Sequence, residues 1–474
     1  MNFPWTMFLD LGVISAALLL ATFIRARVAF FQKYLIPNAL TAGFILLFFY
    51  NYVAEYVGMS AAELPAMAYH LLAISFIAMS LRKAEFKKKK GDAGVFGTSV
   101  SIISQYALQA ILGLALTLLF IKTLYPNLFP AMGFFLPIGF ALGPGQAVGI
   151  GENWETMGFV GAPSVGLTFA AIGFLWACFG GVIMINYGIR KGWLEPELVE
   201  KIKKRGSRSG LKKRGDDLRA GFFLTTESET IDSMTYNLGI VLVVYLSAFL
   251  LLKGIGFLLS FAGSSGEQLA VNLWAIHFVF AAMMALLAKL FMHRTKTEHT
   301  LDNGALTRIA GSSVDIMVAA AIGAISLTVV KSYWLTILVI CTLGGLLVWT
   351  MVPWLASRIF TSYRFYRALI VYGACTGTMP TGLALLRVLD PDFKTPVATD
   401  YMYSSAITFF IVIPFILSIN LPATAATTGD FKYFWFGMAV AGAYLLFAVI
   451  SLIVIGRKRG FKKPGQIWLK EEDM

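Results

Sequence analysis

The chain has 474 residues, of which 58% are hydrophobic and only 14% charged, and its mean hydropathy is +0.73. So little polar surface excludes a water-soluble protein of this size and indicates an all-α polytopic membrane protein. The formal net charge of +13 calls for no nucleic-acid partner, because basic cytoplasmic loops lying against anionic lipid headgroups account for it.

In chain order, the apolar runs predict membrane spans near 5–24, 36–56, 65–81 and 94–121, most of them near the ~20 residues that cross a hydrocarbon core. No basic residue precedes the first span and Arg25 and Arg27 follow it, the reverse of a signal peptide. An apolar segment near 130–151 is then interrupted by Gly143, Pro144, Gly145, Gly149 and Gly151. In lipid an unpaired backbone group is costly, so a broken helix at membrane depth belongs in a re-entrant hairpin packed in protein or lining a cavity. A span near 158–187 follows, and then a basic stretch, 191–233, with the Gly/Ser-bearing run Lys201 to Arg214, expected to be a mostly disordered cytoplasmic linker.

The second half repeats the order. Spans are predicted near 235–261, 268–293, 305–328 and 333–357, a second interrupted segment near 366–387, and spans near 398–421 and 432–456. Placing the N-terminus outside puts every Lys and Arg inside except Lys122, Lys253, Lys331 and Lys432. The two halves, 1–190 and 234–422, are thus expected to form inverted repeats of five spans plus one hairpin, about 11 transmembrane helices in all. The stretch 423–474 supplies an extra helix and a cytoplasmic tail.

Inverted repeats with paired interrupted helices are the sequence pattern of carriers that work by alternating access. Hairpins entering from opposite faces bring helix starts, which favour anions, close to helix ends, which favour cations. Substrate is expected at Gly143, Pro144, Gly145, Gln146, Thr378, Pro380 and Thr381, and the coupling ion at Thr376, Gly377, Gly149 and Asp315. The alternative for the glycines is close helix packing, and for the threonines a bond to their own helix. Asp315 lies about 15 Å into its span, near the midplane, where an ionisable group is a functional hypothesis by default. Arg387 is either a partner for a substrate carboxylate or a positive-inside anchor, and Asp400 is expected to pair with Arg387 or Lys394. His70, Asp10 and Glu55 are expected near membrane edges. Cys178, Cys341 and Cys375 sit in apolar segments and suggest no disulfide framework. No enzymatic constellation is visible, and no cofactor is expected beyond sodium as coupling ion.

Three stretches carry a resemblance. Phe31-Gln-Lys-Tyr-Leu-Ile-Pro-Asn-Ala-Leu-Thr-Ala-Gly43, the first hairpin with the span through Gly180-Gly181 to Arg190-Lys191, and Thr378-Met-Pro-Thr381 resemble bacterial sodium/glutamate symporters. The resemblance implies sodium-coupled glutamate uptake, an elevator-type carrier whose hairpin-bearing domain moves against a scaffold, and a homodimer in the bacterial inner or plasma membrane. The chain departs from the family at Ala141-Leu-Gly-Pro-Gly-Gln146 and at the shortened lead-in Tyr372-Gly-Ala-Cys-Thr-Gly377. A proton- or sodium-coupled carrier of another small organic anion or amino acid is the alternative.

Overall fold

The structure, a computed structural model, describes residues 5–34, 36–83, 94–194, 199–200, 221–227, 229–390 and 395–469; these are helical or irregular, with no strand among them. Residues 195–198, 201–220 and 228 of the expected linker 191–233, the lysines at 87–90, Lys394 and the side chain of Pro380 lie outside the described residues. Among the described residues, ten helices are long and apolar enough to cross a membrane, as in a multi-pass membrane protein.

The first half contains α1 (Thr6–Arg27), α2 (Asn38–Tyr52), α3 (Leu64–Leu81) and α4 (Gly94–Thr123). A short arm, Met132–Leu142, then leads to α5 (Pro144–Thr156), and α6 (Ala162–Leu175) runs through a π turn at Trp176–Gly180 into α7 (Gly181–Arg190). The second half contains α8 (Ser233–Ser260), α9 (Gly263–Ala275), α10 (His277–Arg294), α11 (Asn303–Gly323), α12 (Leu327–Ile359), the kinked α13 (Arg364–Leu389), α14 (Val397–Ser418), α15 (Leu421–Thr428) and α16 (Lys432–Gly456).

Two expected spans differ. The run at 36–56 yields only the 15 residues of α2, about 22 Å long. Pro37 starts the helix, and after Tyr52 the chain tightens into a single 3₁₀ turn, Ala54–Val57, closed by Gly58 at φ 69°. The run at 268–293 is broken at Ile276, whose φ of −111° and ψ of 28° are not helical. No glycine or proline causes that break. Instead α3 supplies substitute partners: the Tyr69 hydroxyl donates to the Trp274 carbonyl at 2.5 Å, and His277 Nε2 lies 3.1 Å from the Tyr69 carbonyl with the two rings stacked 3.5 Å apart.

Burial sorts the helices into two groups. Two apolar clusters are shared among α1, α2, α3, α8, α10 and α11, which are the leading helices of each half. Another joins α4, α7, α12, α13, α14 and α16, the helices around the interrupted elements. A larger cluster spans both groups, and α5 is a main bridge, packing on α3 and α9 as well as on α6. A Cβ on Gly145 of α5 would lie 2.7 Å from Leu72 Cβ of α3, so only glycine permits this crossing.

The tail after α16 folds back as a clasp. The buried Arg358 guanidinium at the end of α12 donates to the carbonyls of Lys462, Lys463 and Gln466 at 3.1, 2.8 and 3.0 Å. Trp354 Nε1 donates to the Pro464 carbonyl and Arg364 to the Leu469 carbonyl. Trp468 stacks on Trp193 with ring centres 5.0 Å apart, and Leu469 is fully buried.

Candidate functional site

Both interruptions are true backbone breaks. Gly143 has φ 104° and ψ 179°, a conformation essentially restricted to glycine, and Pro144 then starts α5 with its fixed φ. Within α13, Gly377 (φ −143°, ψ 25°) and Thr378 (φ 72°, ψ 171°) leave helical geometry. The positive φ on a β-branched threonine is strain held by its surroundings.

Each broken element folds back on itself. In α13 a Cβ on Gly373 would lie 2.7 Å from the Gly382 Cα, and one on Gly382 would lie 2.5 Å from the Ile370 carbonyl. In the first element the Phe135 ring sits 4.6 Å from that of Trp154, pairing the start of one arm with the end of the other. Both are therefore hairpins. They approach from opposite ends of α4. A Cβ on Gly94 would meet Arg367 at the base of the second hairpin, and one on Gly113 would meet the Gly133 carbonyl at the base of the first. Those two glycines are about 28 Å apart along the helix.

The tips meet in between. A Cβ built on Gly143 would lie 2.6 Å from Thr378 Cγ2 and 3.7 Å from Gln146 Oε1. Gln146 is 1% exposed, yet neither atom of its amide has a hydrogen-bond partner. On α4, Gln109 Nε2 donates to the Cys375 carbonyl at 3.1 Å, while its Oε1 is unpartnered. Gln105, one turn away on the same face, donates to Ser104 Oγ at 3.5 Å and leaves its Oε1 unpartnered. Both glutamines are fully buried. An unmet buried polar group costs about 1–3 kcal/mol, so a polar guest that satisfied these amides would be bound favourably.

The second hairpin is anchored by neighbours that exploit other irregularities. Tyr372 donates to the Trp176 carbonyl at 2.6 Å, one of the groups released by the π turn between α6 and α7, and Trp349 Nε1 donates to the Gly180 carbonyl. Arg367 and Asp400 form a 2.7 Å ion pair with Arg367 only 1% exposed.

Of the expected residues, the fold brings together Gly143, Pro144, Gly145, Gln146, Gly149, Thr376, Gly377, Thr378 and Thr381, all buried on the two hairpins. The Thr376 hydroxyl is committed to the Tyr372 carbonyl at 2.7 Å, the local alternative for this residue. Its own carbonyl is pressed against α6, 2.4 Å from where a Cβ on Gly173 would lie. Arg387 is exposed, nine residues or about 13 Å beyond Thr378. Asp400, expected to pair with Arg387 or Lys394, pairs with Arg367, because α13 presents its first turns to α14. Asp315 belongs to the other helix group. It is exposed on the face of α11 that carries Arg308, Gly311 and Ser312, and it makes no hydrogen bond or ion pair among the described residues. Asp10 is buried and accepts from the Tyr50 hydroxyl at 2.6 Å, so it is an internal anchor, whereas Glu55 is exposed. His70 is exposed and bonds to the Tyr245 hydroxyl at 2.6 Å, and the three cysteines are free and buried.

No family model, curated protein or solved structure matches this chain. The site is therefore read from its own geometry. Gln105 and Gln109 were not among the expected site residues, although an i, i+4 amide pair within a 30-residue helix of membrane-spanning length is a signal in the sequence.

Proposed function

We propose that the protein is a secondary active transporter of a bacterial cytoplasmic membrane, coupling sodium to the movement of glutamate or a related small carboxylate or amino acid. One observation carries the reading: two broken helices meet at Gly143 and Thr378, with the unpartnered Gln146 amide buried beside the contact. The first free N–H groups of α5 and the Gln146 NH₂ suit a carboxylate, and released carbonyls with amide oxygens suit a cation. Amides, hydroxyls and backbone groups bind and release without making or breaking bonds, which favours a carrier over an enzyme.

Two further features support an elevator-type cycle. The second hairpin shares a core with α4, α7, α12, α14 and α16, the leading helices of each half have cores of their own, and the first hairpin lies in the larger cluster that joins the two groups. In this reading the hairpin group moves and the leading helices form the scaffold and homodimer face. Positive-inside placement puts the N-terminus outside and the C-terminus in the cytoplasm.

The test is uptake by purified protein in liposomes of labelled glutamate, other amino acids and dicarboxylates. Accumulation driven by an inward sodium gradient and lost on replacing sodium with choline is expected. Accumulation that persists in choline and collapses with an uncoupler would replace sodium by protons. Absence of any gradient-driven accumulation would remove the carrier reading.

A further inference from the structure

The junction of α4, α14 and the second hairpin holds more unmet oxygen atoms than a substrate carboxylate can use. We propose that it is a cage for a monovalent alkali cation, formed by Gln105 Oε1, Gln109 Oε1, Thr408 Oγ1 and the Cys375 carbonyl. This rests on and deepens the carrier reading, for which the cage supplies the coupling-ion site.

The three elements pack against one another in pairs. Ser99 of α4 and Ser404 of α14 are joined hydroxyl to hydroxyl at 3.0 Å, which sets the register of the two helices. From that pin Thr408 is one turn further along α14, about 6 Å, and Gln105 about 9 Å further along α4. Gln109 follows one turn later and reaches the Cys375 carbonyl at 3.1 Å. Gln105 and Gln109 are 0% exposed and Thr408 5%, and Gln105 Oε1, Gln109 Oε1 and Thr408 Oγ1 have no hydrogen-bond partner. The Gln109 side chain is held by its NH₂ on Cys375, so its oxygen is presented in a fixed direction.

The chemistry of the set selects the guest. Amide, hydroxyl and carbonyl oxygens are hard neutral donors that suit alkali and alkaline-earth cations. A buried divalent ion needs carboxylates to offset its charge, and α4 and α13 contain neither Asp nor Glu. The one acid on α14, Asp400, is engaged by Arg367. An anion is disfavoured by three unpartnered oxygens, while a neutral solute would leave them to compete for donors. The cage borders the second hairpin three residues before its break at Thr378, so cation occupancy and tip geometry are linked through the Cys375 carbonyl.

Thermal unfolding of the purified full chain in detergent tests this with the ion alone. Unfolding is followed as sodium, potassium or lithium chloride replaces choline chloride at constant ionic strength, for wild type, Gln109→Leu and the near-isosteric Thr408→Val. The expected result is a saturable rise in unfolding temperature with one alkali cation and not with choline, its half-saturating concentration raised at least about tenfold in each variant. Gln109→Leu removes an unmet oxygen together with the donor bond to Cys375, whereas Thr408→Val removes only an unpartnered hydroxyl and so should not lower the unfolding temperature in choline, which separates a folding defect from a lost site. Variants that keep the wild-type ion response, or a wild type that responds equally to choline, would overturn the cage. An ion response lost in both variants without solute uptake in liposomes would leave the cage standing and remove the carrier reading; cation-driven uptake with unchanged ion dependence in the variants would do the reverse.

Discussion

At the scale of single residues, Gly143 and Asp232 show how local chemistry sets the site and its frame. Any side chain at Gly143 must adopt φ 104° and would lie 2.6 Å from Thr378 Cγ2. Gly143→Ala therefore carries a backbone cost of about 1–3 kcal/mol before the clash, and separates the tips. Its expected signature is a lower unfolding temperature together with loss of uptake, whereas Gly58→Ala, with positive φ and nothing within 4 Å, loses stability alone. Asp232 caps α8 by accepting from the Thr235 N–H at 2.7 Å, and that bond holds its carboxyl below the usual carboxylate range. A depressed folded-state value means the cap stabilises above the ordinary carboxylate pKa and fades as pH falls through the lowered one. The unfolding temperature of Asp232→Ala should thus lie below wild type at neutral pH and converge with it in acid. Residue identity alone gave no direction for Asp315; the exposed stripe Arg308, Gly311, Ser312, Asp315 is set by which face of α11 packs on α2 and α3.

At the scale of elements, interruptions followed from two different causes, and only one of them is written locally. Gly143-Pro144 and Gly377 break helices through their own backbone preferences, so both hairpins were legible. The break at Ile276 is held by Tyr69 of α3, whose hydroxyl meets the Trp274 carbonyl and whose own carbonyl meets His277, and the π turn at Trp176–Gly180 is held by Tyr372 and Trp349. No pattern within residues 268–293 announces a partner on α3. Tyr69→Phe should leave the Trp274 carbonyl unmet, costing about 1–3 kcal/mol, and raise hydrogen exchange at 274–278 selectively. The tail clasp was equally hidden, because Arg358 read only as a cytoplasmic charge. Truncation after Gly460 strips three carbonyl partners from a buried guanidinium and uncovers Trp193 and Phe365. The expected outcome is a lower unfolding temperature with faster exchange across 360–370, and Trp468→Ala should reproduce part of it, by about 3–5 kcal/mol at most.

For the whole molecule, the order of elements was legible from apolar runs, glycines and basic residues, while the assembly of the halves was not. The contact of Gly143 with Thr378 joins residues 235 positions apart in the chain, and nothing at either position specifies the other. It arises because α4 offers one hairpin base at Gly94 and the other at Gly113, which directs the tips toward Gln105 and Gln109. Glutamines inside a membrane helix are costly wherever they lack partners, and here they lie beside the broken second hairpin, at the Cys375 carbonyl. The most direct measurement is the initial rate of sodium-driven uptake into liposomes for wild type, Gln146→Leu and the exposed control Glu55→Gln. The account predicts that wild type and Glu55→Gln concentrate the same carboxylate or amino acid, and that Gln146→Leu falls by about tenfold or more, the equivalent of one lost hydrogen bond. Equal rates in wild type and Gln146→Leu would contradict the claim that the meeting tips hold the transported solute.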